Sequence, residues 1–375
     1  MDEALRNGVD FLRAWLRPPR TTKRLAVAAG FAAGFPAWEA AVWAGLVLDD
    51  VVYKDYRNVR VEEPVFIAGN FRSGTTFLHR LMGLDRELFR TMELWEILLC
   101  PSVSSRKIVR AVHGAQLCIG NPLGRWLGTM DQAVGSNRAI HETGIRQPEE
   151  DDYLQLHRFS ALTVGLASGL TGLAAPYVRF DDCIAREDRI RTMKFYRSCI
   201  QRHLFANPGG THYLAKNPAL TPKLASVFAE FPDARVIVLV RHPFDMLASL
   251  TSMMQVTWKA VGVELPDSQL ADFLRNLAGH WYRYPIFLAE KGFRIHFVRY
   301  SDLVRDPLKE IRRIYEAADL PWRDGFEATL RDHLAASEKF QSRHNYDAAQ
   351  LGIQRDSIER DFHDVIDRFQ LVTGE

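Results

Sequence analysis

Four short runs rich in β-branched and aliphatic residues punctuate the chain, each closed by polar or turn residues: Pro64 to Ala68, His212 to Ala215, Ala234 to Val240 and Arg294 to Arg299. The segments between them carry helical spacing. A helix is predicted from near Thr75, and Thr221-Pro222 reads as the N-cap and first position of another running to Phe231. Asp306-Pro307 repeats that signature. Strands alternating with helices predict parallel crossover units, and an unbroken apolar run such as Val236-Ile237-Val238-Leu239-Val240 suits a strand covered on both faces. The fold class is therefore α/β. Residues 90 to 210 are mainly helical in pattern and are expected to cap the carboxyl ends of the strands, where open α/β sheets bind ligands. There is no internal repeat and no low-complexity run, so the chain divides into an N-terminal helical appendage, residues 1–60, and one continuous domain, residues 61–375.

The appendage holds the longest apolar stretch. Leu25 to Leu48 follows Arg17, Arg20, Lys23 and Arg24, and is long enough to cross a bilayer, but Pro36 and Glu39 interrupt it. A glutamate at the centre of a spanning helix costs about 2.5–3.5 kcal/mol or more. Two readings follow: a helical pair packed on the domain, or a peripheral attachment lying in the membrane plane with Phe31, Phe35, Trp38 and Trp43 at the interface. A single span with a cytoplasmic amino terminus is the remaining alternative. The opening Met1-Asp2-Glu3 is unlike a secretory signal, so the expected location is cytoplasmic, peripheral at the membrane.

Composition narrows the partners. With 47% hydrophobic and 25% charged residues the chain can bury a sizeable core, and a net charge of only +2 argues against nucleic acid or any partner bound over a broad basic surface. Anion binding must be local. Cys100, Cys118, Cys183 and Cys199 show neither a C-x-x-C pair nor metal-ligand spacing with histidine, so isolated buried thiols are expected rather than disulfides or a metal site.

The local anion site is legible. Pro64 to Ala68 leads into Gly69-Asn70-Phe71-Arg72-Ser73-Gly74-Thr75-Thr76, a strand, a glycine-bounded loop and a helix start. Backbone N–H groups at such a turn and helix N-terminus point at an anion. Against G-x-x-x-x-G-K-[ST] the glycines fit, but Thr75 stands where the lysine belongs and the positive charge has moved to Arg72. Nucleotide hydrolysis is a poor reading without that lysine, which reaches the terminal phosphates.

Phe71-Arg72-Ser73-Gly74-Thr75-Thr76 resembles the 5′-phosphosulfate loop of sulfotransferases that use 3′-phosphoadenosine-5′-phosphosulfate (PAPS), which reads R/K-S-G-T-T. A second signature of that family, a strand followed by R-x-P-x-D-x-x-x-S, matches Arg241, Pro243, Asp245 and Ser249 after the strand Val236 to Val240. Arg241 leaves a strand end, Pro243 suits the first helical position, and Ser249 lies two turns on, so both side chains can reach one phosphate. Tyr213-Leu214-Ala215-Lys216-Asn217-Pro218 is similar to the K-D-P element of the bacterial and tyrosylprotein-type branch, with Asn217 replacing the usual aspartate. Ser342-Arg343-His344-Asn345-Tyr346 with Leu351-Gly352-Ile353 resembles its carboxy-terminal segment, so the likeness runs from about residue 64 to 353.

This resemblance implies a P-loop-like sheet, transfer of a sulfuryl group from PAPS to a small-molecule hydroxyl acceptor, and PAP as the product. Arg72, Ser73, Gly74, Thr75 and Thr76 would hold the 5′-phosphosulfate, Arg241 and Ser249 the 3′-phosphate, with a lesser nucleotide contact from Arg343. Lys216 would steady charge on the bridging oxygen, and no metal is required. Glu93, 21 residues beyond Arg72, stands at the offset of the branch's catalytic glutamate, and Met92, Leu94 and Trp95 are placed to desolvate it. His141 in His141-Glu142 is the second choice of base, near the acidic run Pro148-Glu149-Glu150-Asp151-Asp152, whose four acids suit the solvated first turn of a helix. The apolar appendage makes an amphiphilic, lipid-like alcohol the expected acceptor. The alternatives are a nucleotide-dependent kinase, which needs magnesium ligands, and a non-catalytic nucleotide-binding protein at the membrane surface.

Overall fold

The computed structural model describes residues 8–10, 13, 21–117, 146–169, 171–263, 267–337 and 353–374. Five parallel strands form one sheet: β1 (Val65–Gly69), β2 (Phe89–Arg90), β3 (His212–Lys216), β4 (Arg235–Val240) and β5 (Ile295–Arg299), in the order β2-β3-β1-β4-β5. Four fall on the runs predicted from sequence. The fifth, β2, has only two residues, too few to show any periodicity, and is held by pairing Phe89 with His212 and Arg90 with Tyr213.

Helices line both faces. Those used below are α1 (Thr22–Val52), α2 (Thr75–Met82), α3 (Leu94–Leu98), α4 (Val103–Leu117), α5 (Arg186–Ala206), α6 (Leu224–Glu230), α7 (Pro243–Val261), α8 (Asp267–Glu290) and α9 (Pro307–Ala317). Strand alternation sorts the core in two. Phe66, Ala68, Val236 and Val238 face Tyr196, Phe231, Leu274 and Trp281, whereas Val65, Ile67, Ile237 and Leu239 face Leu78, Leu81, Ile311 and Ile314. Every residue of β4 is buried, as its continuous apolar run requires.

The strand order positions the chemistry. With β1 at the centre, β3 and β4 on either side, and all strands parallel, Gly69, Lys216 and Val240 end at the same edge of the sheet. The motifs at residues 69–76, 216 and 241–249, far apart in sequence, therefore leave from three adjacent strand ends. This is where connections diverge to opposite sides of the sheet, the usual ligand crevice of open α/β folds.

Two predicted elements differ. Thr221-Pro222 does not cap a helix: the segment Pro218–Lys223 is a 3-10 helix, α6 begins only at Leu224, and the Thr221 hydroxyl turns back to β1. The apolar stretch of the N-terminus forms neither a helical pair nor a break at Pro36, but one 31-residue helix. Glu39 points inward, where its carboxylate meets His157 Nδ1 at 2.7 Å. Asp306 does cap α9, its carboxylate accepting from Lys309 N at 3.1 Å. Cys100 and Cys199 are buried free thiols as expected, while Cys183 is exposed; Cys118 lies outside the described residues.

Candidate active site

The loop after β1 is shaped by close packing. Gly69 has φ 124°, and a Cβ there would lie 2.5 Å from the Leu239 carbonyl oxygen of β4, so no larger residue fits. Its N–H donates to Thr221 Oγ1 at 2.9 Å, and the same hydroxyl donates to the Gly69 carbonyl at 2.9 Å. Gly74 (φ 89°) leads into α2, and a Cβ on it would meet the Tyr300 ring at 2.6 Å. Arg72 adopts φ 62°, a left-handed conformation uncommon outside glycine, which turns the loop back over the strand ends. Ser73 Oγ and both side-chain polar atoms of Asn70 are buried without a hydrogen-bond partner. Orphaned buried polar atoms in a glycine-formed cradle fit an anionic ligand that brings acceptors to them.

The second motif closes on the first. Arg72 Nε donates to Ser249 Oγ at 3.0 Å, and Arg241 Nη1 donates to the Arg72 carbonyl at 2.9 Å. The Arg241 guanidinium stacks 4.6 Å from the Tyr300 ring centre, and its own carbonyl accepts from the Tyr282 hydroxyl at 2.7 Å. Pro243 opens α7 as predicted, with His242 Nδ1 capping by accepting from Phe244 N at 3.3 Å. Two guanidinium groups and a serine hydroxyl thus meet at one spot, a donor set suited to phosphate.

Lys216 completes the third side. Its side chain is buried, and Nζ lies 3.2 Å from Thr76 Oγ1 of the loop. It also lies 2.5 Å from Glu149 Oε1 and 3.2 Å from Glu150 Oε1. Burial alone would depress its pKa, but Glu150 and Glu149 outweigh that and raise it, so the ammonium stays charged. The acidic run is consequently not a solvated helix start. Asp151 accepts from the hydroxyls of Tyr196 at 2.5 Å and Tyr213 at 2.7 Å and from Asn217 Nδ2 at 2.7 Å, and burial raises its carboxyl to about 6 against those bonds. Asp152 pairs with Lys223 at 3.0 Å. Asn217, which stands where the K-D-P element carries aspartate, is thus tied to Asp151.

Glu93 stands at the N-cap of α3, half-buried, in a reciprocal capping box with Glu96. Its Oε2 accepts from the Trp95 indole at 2.6 Å. Burial raises its pKa above the ordinary 4.5; the Trp95 bond opposes this and the neighbouring Glu96 charge adds to it. Glu96 is itself anchored, Oε1 3.7 Å from the buried Arg106. The backbone around Glu93 pairs with the acidic run: Leu94 N donates to the Gln147 carbonyl at 3.1 Å and Glu149 N to the Met92 carbonyl at 3.3 Å. Glu93 and the acidic run are therefore neighbours, and Glu149 and Glu150 reach Lys216 from that run. His141 and Glu142 lie outside the described residues, as do Ser342 to Tyr346 with Arg343. Among the described residues no group of three or more His, Cys, Asp or Glu could hold a metal ion. Sequence reasoning missed Tyr300, Tyr282 and the Glu149–Glu150 grip on Lys216, because none of these carries a local pattern.

A parallel sheet with a glycine-bounded loop after its central strand, Arg72 on that loop, Arg241 at the neighbouring strand end and a buried lysine beside them makes a site suited to an anionic group. The chain belongs to the sulfotransferase family, whose model matches residues 64–324, more than half of the chain. It is an enzyme that transfers sulfate, and the kinase and non-catalytic readings are not favoured. Curated relatives are the omega-hydroxy-beta-dihydromenaquinone-9 sulfotransferases Stf3 of Mycobacterium bovis and Mycobacterium tuberculosis, each 23% identical over 354 residues, covering 88% of this chain and 79% of theirs. The fold is shared with the sulfotransferase STF9 of Mycobacterium avium, with a TM-score of 0.77 at 20% identity over 99% of this chain and 93% of that one. STF1 of Mycobacterium tuberculosis gives 0.68 at 20% identity over 94% and 84%.

Proposed function

We propose that this enzyme transfers the sulfuryl group of PAPS to the hydroxyl of a lipid-like acceptor, releasing PAP. The observation that carries the reading is the junction of the two anion motifs, where Arg241 holds the Arg72 carbonyl and Arg72 holds Ser249. PAPS supplies an activated sulfuryl group at one end and a 3′-phosphate at the other. Arg72, Ser73, Gly74, Thr75 and Thr76 receive the first, Arg241 and Ser249 the second. Lys216, charged and next to Thr76, balances negative charge on the bridging oxygen. Glu93 takes the proton of the acceptor hydroxyl; its raised pKa suits a base that works near neutrality. The Stf3 relatives are named for a menaquinone-derived alcohol, which supports a lipid-like acceptor here.

The same reading extends to a peripheral membrane contact. With Glu39 turned inward, the outward side of α1 carries no charge between Leu25 and Leu48, and Val47 and Val51 are 59% and 72% exposed. Ile108 and Val112 of α4, which packs against α1, are exposed as well, as are Lys23, Lys54 and Lys107. Exposed apolar area together with exposed cations fits an anionic bilayer entered from the side rather than spanned.

Sulfur-labelled PAPS incubated with the enzyme and a series of lipid alcohols tests the chemistry. Label in a lipid sulfate ester is expected; transfer of label-free phosphate from ATP to the same alcohols would overturn it. Flotation with anionic vesicles and release by alkaline carbonate test the attachment, which full recovery in the soluble fraction would refute.

A further inference from the structure

Between Leu25 and Leu48 of α1, only Trp38, Glu39 and Trp43 carry a side-chain nitrogen or oxygen. All three turn it toward one place. Trp38 Nε1 donates to the Leu98 carbonyl at 3.1 Å, Glu39 Oε1 meets His157 Nδ1 at 2.7 Å, and Trp43 Nε1 donates to the His157 carbonyl at 3.2 Å. His157 lies near the end of the 3-10 helix Asp151–Arg158, and its other ring nitrogen, Nε2, is 3.1 Å from the Ile97 carbonyl. Ile97 and Leu98 close α3, the five-residue helix with Glu93 at its N-cap. The last carbonyls of a helix have no partner within it, and two of these are taken by α1, one directly and one through His157.

The neighbours of His157 dictate how its ring bonds. A carbonyl oxygen can only accept, so Nε2 carries a hydrogen, and Nδ1 shares a second proton with the Glu39 carboxylate. Glu39 thereby keeps the ring in the form that donates to α3. The Trp38 ring packs edge-on against the same imidazole, 5.6 Å between centres. Nearer the start of α3, Glu96 Oε1 accepts from Asn207 Nδ2 at 3.3 Å and lies 3.7 Å from Arg106 Nη1. So short a helix has little stability of its own, and bonds from outside decide where its N-cap residue stands.

We infer that Trp38, Glu39 and His157 are positioning residues for Glu93: α1 holds the C-terminal end of α3 and so aims the Glu93 carboxylate at the acceptor hydroxyl. The inference rests on the reading of Glu93 as the base. The helix that offers its outward side to a bilayer grips the base with its inward side. Displacing a reacting group by about an ångström can cost about 100-fold in rate, so a hold this far from the acceptor is felt in turnover.

A spectrum of the full chain with nitrogen-labelled tryptophan tests the hold. The Trp95 indole donates to Glu93 Oε2 at 2.6 Å, so its N–H signal reports where that carboxylate stands, and Trp95→Phe assigns the signal. Trp38→Phe, which keeps an aromatic ring and loses the N–H, and Glu39→Leu, which frees the His157 ring, are expected to shift or broaden it. Glu39→Gln should leave it in place, since an amide still bonds Nδ1 while Nε2 keeps its hydrogen. Turnover is followed with sulfur-labelled PAPS and with dodecanol and farnesol in detergent micelles. Trp38→Phe should lower kcat several-fold and Glu39→Leu by up to about 100-fold, with the Kd of PAP unchanged, Glu39→Gln near wild type, and no further loss when either is combined with Glu93→Gln. An unmoved Trp95 signal in both variants, or losses that multiply with that of Glu93→Gln, would overturn the inference while leaving Glu93 as the base. Full turnover by Glu93→Gln would refute the base and this inference with it. Failure of both alcohols to take label would count against the acceptor alone, because the indole signals decide the hold on Glu93 without turnover.

Discussion

Replacing Arg241 with alanine separates two kinds of loss. Its Nη1 holds the carbonyl of Arg72, a loop residue at φ 62°, so truncation leaves that carbonyl without its partner and loosens the loop for every ligand. A hydrogen bond of this kind is worth about 0.5–1.5 kcal/mol net. The guanidinium also faces Ser249 across Arg72, where only a ligand with a 3′-phosphate gains from it, and a charge-assisted bond is worth about 1.5–3 kcal/mol. At roughly 1.4 kcal/mol per factor of ten, adenosine 5′-phosphosulfate should lose about 2- to 10-fold in affinity, and PAP a further 10- to 100-fold. Arg241→Lys should fall between, keeping charge but not the planar fork stacked on Tyr300. Calorimetry with both ligands reads the difference directly. Equal factors for the two ligands would refute the 3′-phosphate role and leave Arg241 as a loop brace alone.

Glu93→Gln should lower turnover by roughly 10²–10⁴ with PAP affinity unchanged; a near-normal rate would remove Glu93 as the base. In the wild type, kcat/KM should fall as pH drops through the Glu93 pKa, with the acid limb above the ordinary 4.5 because burial disfavours the carboxylate. Trp95→Phe removes the indole bond that favours the charged form, so that limb should move to still higher pH. Activity should survive EDTA, since Arg72, Lys216 and the loop amides supply the positive potential; loss in EDTA restored by magnesium would contradict this.

The sheet was readable because β1 and β4 carry unbroken apolar runs, as burial on both faces demands, and β3 and β5 are short runs rich in apolar and aromatic residues closed by polar ones. The phosphate loop and Arg241–Ser249 were readable for a different reason: glycine, proline and arginine at fixed offsets have local geometric consequences. What escaped depends on distant contacts. Thr221 has the sequence of a helix cap, but its hydroxyl satisfies both polar groups of Gly69, and that tertiary bond overrides the local preference. Four acids in a row look solvated until Lys216, Lys223 and three uncharged donors arrive from elsewhere to bury them. Glu39 interrupts the apolar stretch on paper, yet it is a core residue because His157, 118 positions away, meets it.

The N-terminal helix raises the same issue for domain organisation, since residues 1–60 read as an appendage. Asp49 of α1 is fully buried and its carboxylate does two jobs inside the body of the enzyme. It accepts from Val103 N at 2.7 Å and Ser104 N at 2.8 Å, capping α4 from another helix, and from Arg202 Nε of α5 at 3.1 Å. Arg202 in turn lies 3.9 Å from the Tyr56 ring centre, and Gly45 lets the helix approach so closely that a Cβ would fall 2.5 Å from Ser102 Oγ. Removing Asp49 therefore takes the buried counter-charge from the Arg202 guanidinium, which keeps the half-exposed Asp50 and neutral acceptors on Ser198 and Leu46, and leaves two N–H groups of α4 without their acceptor. Asp49→Ala is expected to destabilise the protein by about 3–5 kcal/mol, the cost of leaving one partner of a buried ion pair uncompensated. Asp49→Asn, which still offers an oxygen to the α4 amides, should cost less. Chain 61–375 lacks the carboxylate altogether and should not fold to a PAP-binding state. A loss below about 1 kcal/mol for Asp49→Ala in urea unfolding, or a soluble chain 61–375 with wild-type PAP affinity, would show instead that the helix is a detachable appendage.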